Sequence, residues 1–275
     1  MSKKHKKQVG IVNNAKKLSY LFILDRSGSM QRVRAQTVNN VNEQLNAVRV
    51  ASKKEGIEAA VTVLLFDSPN GPERSWFSYL FTDIPVDQVK DITEAQYVPD
   101  GGTPLRDAIG TGITDLQTRL GDKLGDPNIK VLVSIFTDGE ENTSRTYSAA
   151  QIKTMIEHLS SDGKFVFTFI GAGTLDAVTR VSETLGVAST NTMAYENTQV
   201  GHTLASKKMC RSVGSFMTSY SSGLDTSANY FAPQNEALGE KIEGELMKND
   251  PVLMAGMKKR LAKKVAKAAE EAKTK

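Results

Sequence analysis

The chain has 275 residues, 39% hydrophobic and 24% charged, with a formal net charge of +4. That length allows one large domain or two small ones. No apolar run approaches the ~20 residues of a membrane span, and the basic start Met1-Ser2-Lys3-Lys4-His5-Lys6-Lys7 lacks the apolar segment of a secretory signal. The single cysteine, Cys210, excludes an internal disulfide and suits a reducing, cytoplasmic compartment.

Charge is unevenly spread. Residues 1–17 hold six lysines and no acid, and residues 248–275 hold nine Lys/Arg against three acids, so the stretch between them is acidic. An acidic globule with two basic tails is not a basic nucleic-acid domain. The tails read as solubilising ends, or as attraction to nucleic acid or an acidic partner. No aromatics interleave their lysines, which disfavours base stacking. The boundaries expected are a basic tail over 1–17, one domain over 18–222 and a Lys-rich, partly helical extension over 223–275.

In chain order, Ser19 to Asp25 is almost continuously apolar, as a strand buried on both faces should be. Val33 to Lys54 has Val33, Val38, Val41, Leu45 and Val48 near helical spacing. Ile57 to Phe66 is a second strand, and Trp76 to Phe81 a third across turn residues, forming a hairpin. Val86 to Ile92 reads as a short helical stretch. Thr103 to Leu120 reads as a helix with Pro104 in its first turn. Then come a strand over Lys130 to Phe136, a helix over Ser148 to Ser160, and a strand over Lys164 to Ile170. A helix over Leu175 to Leu185, a short strand near Thr192 to Ala194, and a helix over Thr203 to Ser219 follow. Leu224 to Gln234 looks irregular. Glu236 to Lys248 reads as a short helix, and Pro251 permits the start of a marginal Lys-rich helix carrying Val252, Met257, Leu261, Val265 and Ala268. Alternating strands and helices with one hairpin predict an α/β three-layer sandwich with a mostly parallel sheet and one antiparallel edge strand. Ligands of such sheets sit outside the carboxyl ends of the strands.

Two strand ends carry the chemistry. Asp25-Arg26-Ser27-Gly28-Ser29 delivers one carboxylate and two hydroxyls into a tight turn, and Thr137-Asp138-Gly139 delivers a second carboxylate. Gly101-Gly102-Thr103-Pro104 offers a third hydroxyl at a helix start. Hard oxygen donors of this kind suit Mg²⁺ or Mn²⁺. Two carboxylates balance a divalent cation and leave its Lewis acidity for an outside ligand, which argues for a partner's Asp or Glu in the last position.

These three segments resemble the von Willebrand factor A family, which includes the integrin inserted domains. The family's metal-ion-dependent adhesion site uses a D-x-S-x-S turn, a later Thr and an Asp after the fourth strand. Here those are Asp25, Ser27, Ser29, Thr103 and Asp138, and the resemblance covers about residues 18 to 222. It implies a Rossmann-like fold and direct metal ligation by Ser27, Ser29 and Thr103. Asp25 and Asp138 would bind directly or through water, in a protein-protein interaction module. The phrases Gly102-Thr103-Pro104-Leu105 and Thr137-Asp138-Gly139 look most like bacterial and phage cytoplasmic members. A large assembly such as an AAA+ ATPase is one partner the resemblance allows. A structural or assembly protein whose basic tails touch nucleic acid or an acidic surface is the alternative.

Enzyme signatures are lacking. No phosphate-binding loop occurs, Gly171-Ala172-Gly173 lacks the third glycine of a dinucleotide fingerprint, and neither Ser27 nor Ser29 lies in a nucleophile elbow. A phosphatase of the aspartyl type would want an acid where Ser27 stands. Among nearby residues, Asp107 is expected to cap a helix or orient a loop, and Glu140 and Glu141 to form an acidic rim. Arg26 is expected at the surface or facing a partner acid. His5, His158, His202 and Cys210 read as ordinary core or surface residues, and Trp76, Phe77 and Tyr79 as strand packing.

Overall fold

The computed structural model describes residues 15–71, 74–227 and 229–231. The expected helices beyond Glu236 and the basic residues 1–14 lie outside the described residues.

β1 (Lys17–Asp25) runs parallel between β2 (Glu58–Phe66) and β4 (Ile129–Thr137). β5 (Phe165–Ala172) and β6 (Thr192–Tyr195) continue the parallel sheet beyond β4. β3 (Phe77–Pro85) pairs antiparallel with β2 and forms the opposite edge, giving the order β3-β2-β1-β4-β5-β6. The expected hairpin, sheet and sandwich are all present.

The apolar run of β1 is unbroken because both faces are covered. Leu18, Tyr20, Phe22 and Leu24 pack in the layer of α1 (Arg34–Glu55) and α5 (Gln199–Ser221). Leu21 and Ile23 pack under α2 (Leu105–Leu120), α3 (Ala149–Ser160) and α4 (Leu175–Thr184). Each such side chain contributes about 1.5–3 kcal/mol relative to exposure, so the middle of the sheet is the most firmly held part of the chain. Side-chain caps set the starts of α3 and α5. Ser148 and Gln151 form a capping box on α3, and Thr198 accepts from Gly201 N at the start of α5. α5 therefore begins at Gln199, earlier than Thr203, and Pro104 precedes α2 by one residue. After α5 the chain returns, and Tyr230 and Phe231 are buried in the α1/α5 layer.

The expected helix over Val86 to Ile92 is absent; the segment is a turn followed by irregular chain. Val86, Val89 and Ile92 are all buried, which imitates helical spacing. Side chains of α1 satisfy the backbone instead. Arg49 donates to the carbonyls of Val86 and Val89, and Asn42 bonds both the N–H and the carbonyl of Ile92.

β1 leads to β2 through α1 on one face, whereas the chain reaches β4 through α2 on the other. The crevice between the carboxyl ends of β1 and β4 is therefore the topological switch point of the sheet. Asp25 ends β1 and Asp138 follows β4, so both stand at that crevice.

Candidate metal centre

Three loops are stitched together at the switch point. Ser27 N donates to Asp25 Oδ1 at 2.7 Å, closing the turn that follows β1. Gly28 N donates to Gly101 O at 2.9 Å, and Asp100 N donates to Arg26 O at 2.9 Å. The loop over 98–103 is in turn bridged to the β2–β3 hairpin through Ser68 N to Gly102 O, at 3.0 Å. Gly101 has φ 67°, and a Cβ there would lie 1.9 Å from Ser68 O, so only glycine fits. On its other side Thr103 N donates to Asn142 Oδ1 at 2.8 Å, and Asn142 N donates to Thr103 O at 3.2 Å.

The five expected residues meet there. Ser29 Oγ donates to Asp138 Oδ1 at 2.6 Å and lies 3.1 Å from Ser27 Oγ. A Cβ built on Gly139 would be 3.2 Å from Thr103 Oγ1, 3.6 Å from Ser29 Oγ and 3.9 Å from Asp25 Oδ2. Those oxygens surround one small space that the missing side chain of Gly139 leaves free. Asp25, Ser27 and Thr103 form the buried wall; Ser29 is exposed and Asp138 half-buried at the mouth.

Electrostatics favour a cation in this space. Burial pushes the Asp25 carboxyl up to about 7, and nearby Asp138 adds to the rise, while hydrogen bonds from Thr137 and Ser27 oppose it. Among the described residues, no basic side chain lies within ion-pair distance of Asp25 or Asp138. Nor is any group of three or more His, Cys, Asp or Glu side chains placed to hold a metal. Two carboxylates with three hydroxyls make an all-oxygen set that fits a hard divalent ion and rests as much on neutral donors as on charge.

Several supporting residues carry no sequence motif. Thr137 Oγ1 donates to Asp25 Oδ2 at 2.5 Å, and Tyr97 Oη donates to Asp25 O at 2.5 Å. Asn197 Nδ2 donates to Asp138 Oδ2 at 2.9 Å, and Asn197 Oδ1 lies 3.2 Å from His202 Nε2. His202 is a core residue, as expected: it sits edge-on to Tyr195, and burial lowers its pKa to about 4. Cys210 also reads as expected, a half-buried thiol on α5 that burial pushes up to about 11. His5 lies outside the described residues.

Two neighbours differ from expectation. Arg26 neither reaches the surface nor faces a partner: it is 4% exposed and grips Asp67 with Nε and Nη2 at 2.8 and 3.0 Å. Buried Asp67 at the end of β2 needs a counter-charge, and Arg74 supplies a second at 2.5 Å. Glu141 is no free rim acid. It accepts from the N–H groups of Arg106, Thr143 and Ser144 and pairs with Arg106 at 3.6 Å. Glu140 is exposed at the rim, as expected. Asp107 orients a loop: it is buried and accepts from the N–H groups of Arg145, Thr146 and Tyr147 at 2.7–3.1 Å.

No family model and no curated protein matches the chain. Solved structures do. The pilus adhesin SpaC from Lactobacillus rhamnosus GG, in an open conformation, superposes with a TM-score of 0.54 at 11% identity, over 73% of this chain and 30% of that one. Proximal thread matrix protein 1 from the mussel byssus, with a zinc occupied MIDAS motif, gives 0.45 at 17% identity, over 75% and 47%. The SpRpn10 VWA domain gives 0.45 at 13%, over 66% and 87%. This chain spans about half the length of the mussel byssus protein. What the chain shares with the SpaC adhesin is a fold, a Rossmann-like α/β sandwich around a mostly parallel sheet.

Proposed function

We propose that this chain is a metal-dependent protein-interaction module. Asp25, Ser27, Ser29, Thr103 and Asp138 hold Mg²⁺ or Mn²⁺, and the ion offers its remaining position to an Asp or Glu of a partner protein. Residues 18–222 carry the module, flanked by the basic segments. One observation supports this above all. Thr103 Oγ1, Ser29 Oγ and Asp25 Oδ2 converge on the space beside Gly139, within 3.2–3.9 Å of a single point. Asp25 and Asp138 together would neutralise the ion, and the hydroxyls would leave it electron-poor. The bound ion supplies Lewis acidity toward an outside carboxylate. The protein's own contribution is position: the turn after β1 fixes Asp25 and Ser27 by backbone bonds, while Asn197 orients Asp138.

The test is a thermal melt of the full chain in EDTA and in saturating Mg²⁺ or Mn²⁺. A ligand at 100 times its Kd stabilises by about 2.7 kcal/mol, which raises Tm by roughly 5–10 °C in a domain of this size. Asp25→Ala removes the response. An unchanged wild-type melting curve at saturating metal refutes the reading.

A further inference from the structure

A cavity of about 530 Å³ opens beside the candidate metal centre, between the carboxyl ends of β4 and β5 and helices α2, α3 and α4. Asp138 and Gly139 belong to its wall, so cavity and metal centre share a border. Its floor is apolar, with Phe169, Val178 and Leu185. β5 ends in small residues at this wall, so Val178 packs directly over Gly171. A Cβ on Gly171 would come within 2.8 Å of Val178 Cγ1, and Ala172 and Ala177 add little bulk. Size and lining are those of a ligand pocket, apolar with a few polar groups at one side.

The rim carries the features of a contact surface. Val181 lines the cavity at 38% exposure, and Leu175, on the same helix, is 58% exposed. Arg180 and the acid Glu140 are both exposed on the same rim, and Arg106 is there too, its charge met by Glu141. Arg180 is thus a cation beside an apolar hole, next to a centre read as attracting a carboxylate.

We propose that this cavity is a second subsite for the partner segment whose acid reaches the metal. It takes a large aliphatic or aromatic side chain lying within a few residues of that acid, while Arg180 meets other negative charge on the segment. The partner sequence is therefore both acidic and apolar, not merely acidic. This inference rests on the metal-dependent reading above. The shared wall at Asp138 and Gly139 sets the spacing: the acid and the apolar side chain must sit on adjoining sites at once.

The test selects a phage-displayed library of random twelve-residue peptides on the full chain in Mg²⁺, with elution by EDTA. Eluted peptides should pair an Asp or Glu with Leu, Ile, Met or Phe within about three positions, the reach of an extended chain between adjoining sites. Ala177→Trp fills the cavity, and Val181→Asp places a charge on its rim; neither is a metal ligand. Both should keep the Mg²⁺-induced rise in Tm and bind the selected peptides about tenfold or more weakly, the loss expected when a Leu-sized side chain finds no pocket. Acidic peptides without apolar preference, or unchanged binding by both variants, overturn the subsite alone. A wild type with no Mg²⁺ response overturns the metal reading and the subsite with it. A wild-type dimer in sedimentation that Val181→Asp dissociates would assign the cavity to a second copy of the chain and overturn the proposal.

Discussion

Replacing Asp25 by asparagine should stabilise the metal-free protein while abolishing its response to metal. The carboxyl is fully buried, and burial pushes it to about 7, against 3.8 for the ordinary group. The folded state therefore holds this proton more tightly than the unfolded state. Its contribution is fully present below about pH 4 and is lost as pH rises through 7. A gap of roughly three pH units corresponds to about 4 kcal/mol at pH 8, as an order of magnitude. Asparagine carries no charge and avoids that cost. It also has one acceptor oxygen where Ser27 N and Thr137 Oγ1 now find two, which returns about 1–2 kcal/mol. The net gain is about 2 kcal/mol, or roughly 4–8 °C in Tm for a domain of this size. Melts in EDTA should show this increment at pH 8 and little at pH 5, where the wild-type carboxyl is largely protonated. Added Mg²⁺ should then raise the wild type and leave Asp25→Asn unmoved. An asparagine variant that melts below wild type at pH 8 in EDTA, or that gains equally at both pH values, refutes the argument.

Gly139→Ala places a methyl 3.2 Å from Thr103 Oγ1, in the space read as the ion's, so the metal response should vanish with stability within about 1 kcal/mol of wild type. A retained Mg²⁺ shift in this variant would count against the assignment. Arg26→Met leaves buried Asp67 with Arg74 alone and should cost about 2–4 kcal/mol; urea titration showing under about 1 kcal/mol would contradict the buried-pair account. Asp107→Asn weakens the acceptor shared by the Arg145, Thr146 and Tyr147 amides, for a loss of about 2 kcal/mol and faster hydrogen exchange at those amides. Exchange unchanged at all three would show that the loop holds itself.

The strands were legible because the sheet is covered on both faces, which leaves runs such as Leu18–Leu24 with little polar interruption. The five oxygen-bearing residues were legible because they stand where strands and loops end, each beside a turn signal. Val86, Val89 and Ile92 misled because burial alone repeats at three-residue intervals there, and the side chains that satisfy the backbone belong to a helix some forty residues earlier. Arg26 was misread for a related reason: its partner Asp67 is 41 residues away and meets it only through strand pairing. Asn197 had no signal at all. Its role depends on where β6 delivers it, and nothing local marks an asparagine that will touch Asp138.

The central place of β1 also bears on motion. Asp25 is paired in register with Phe66 on one side, and its neighbour Leu24 with Phe136 on the other. Amides there should exchange with solvent only by global unfolding, and across the crevice the loop after Asp138 is tied back through Asn142 to Thr103 and through Glu141 to the start of α2. Both walls of the crevice thus keep time with the fold, so a ligand meets a site already set.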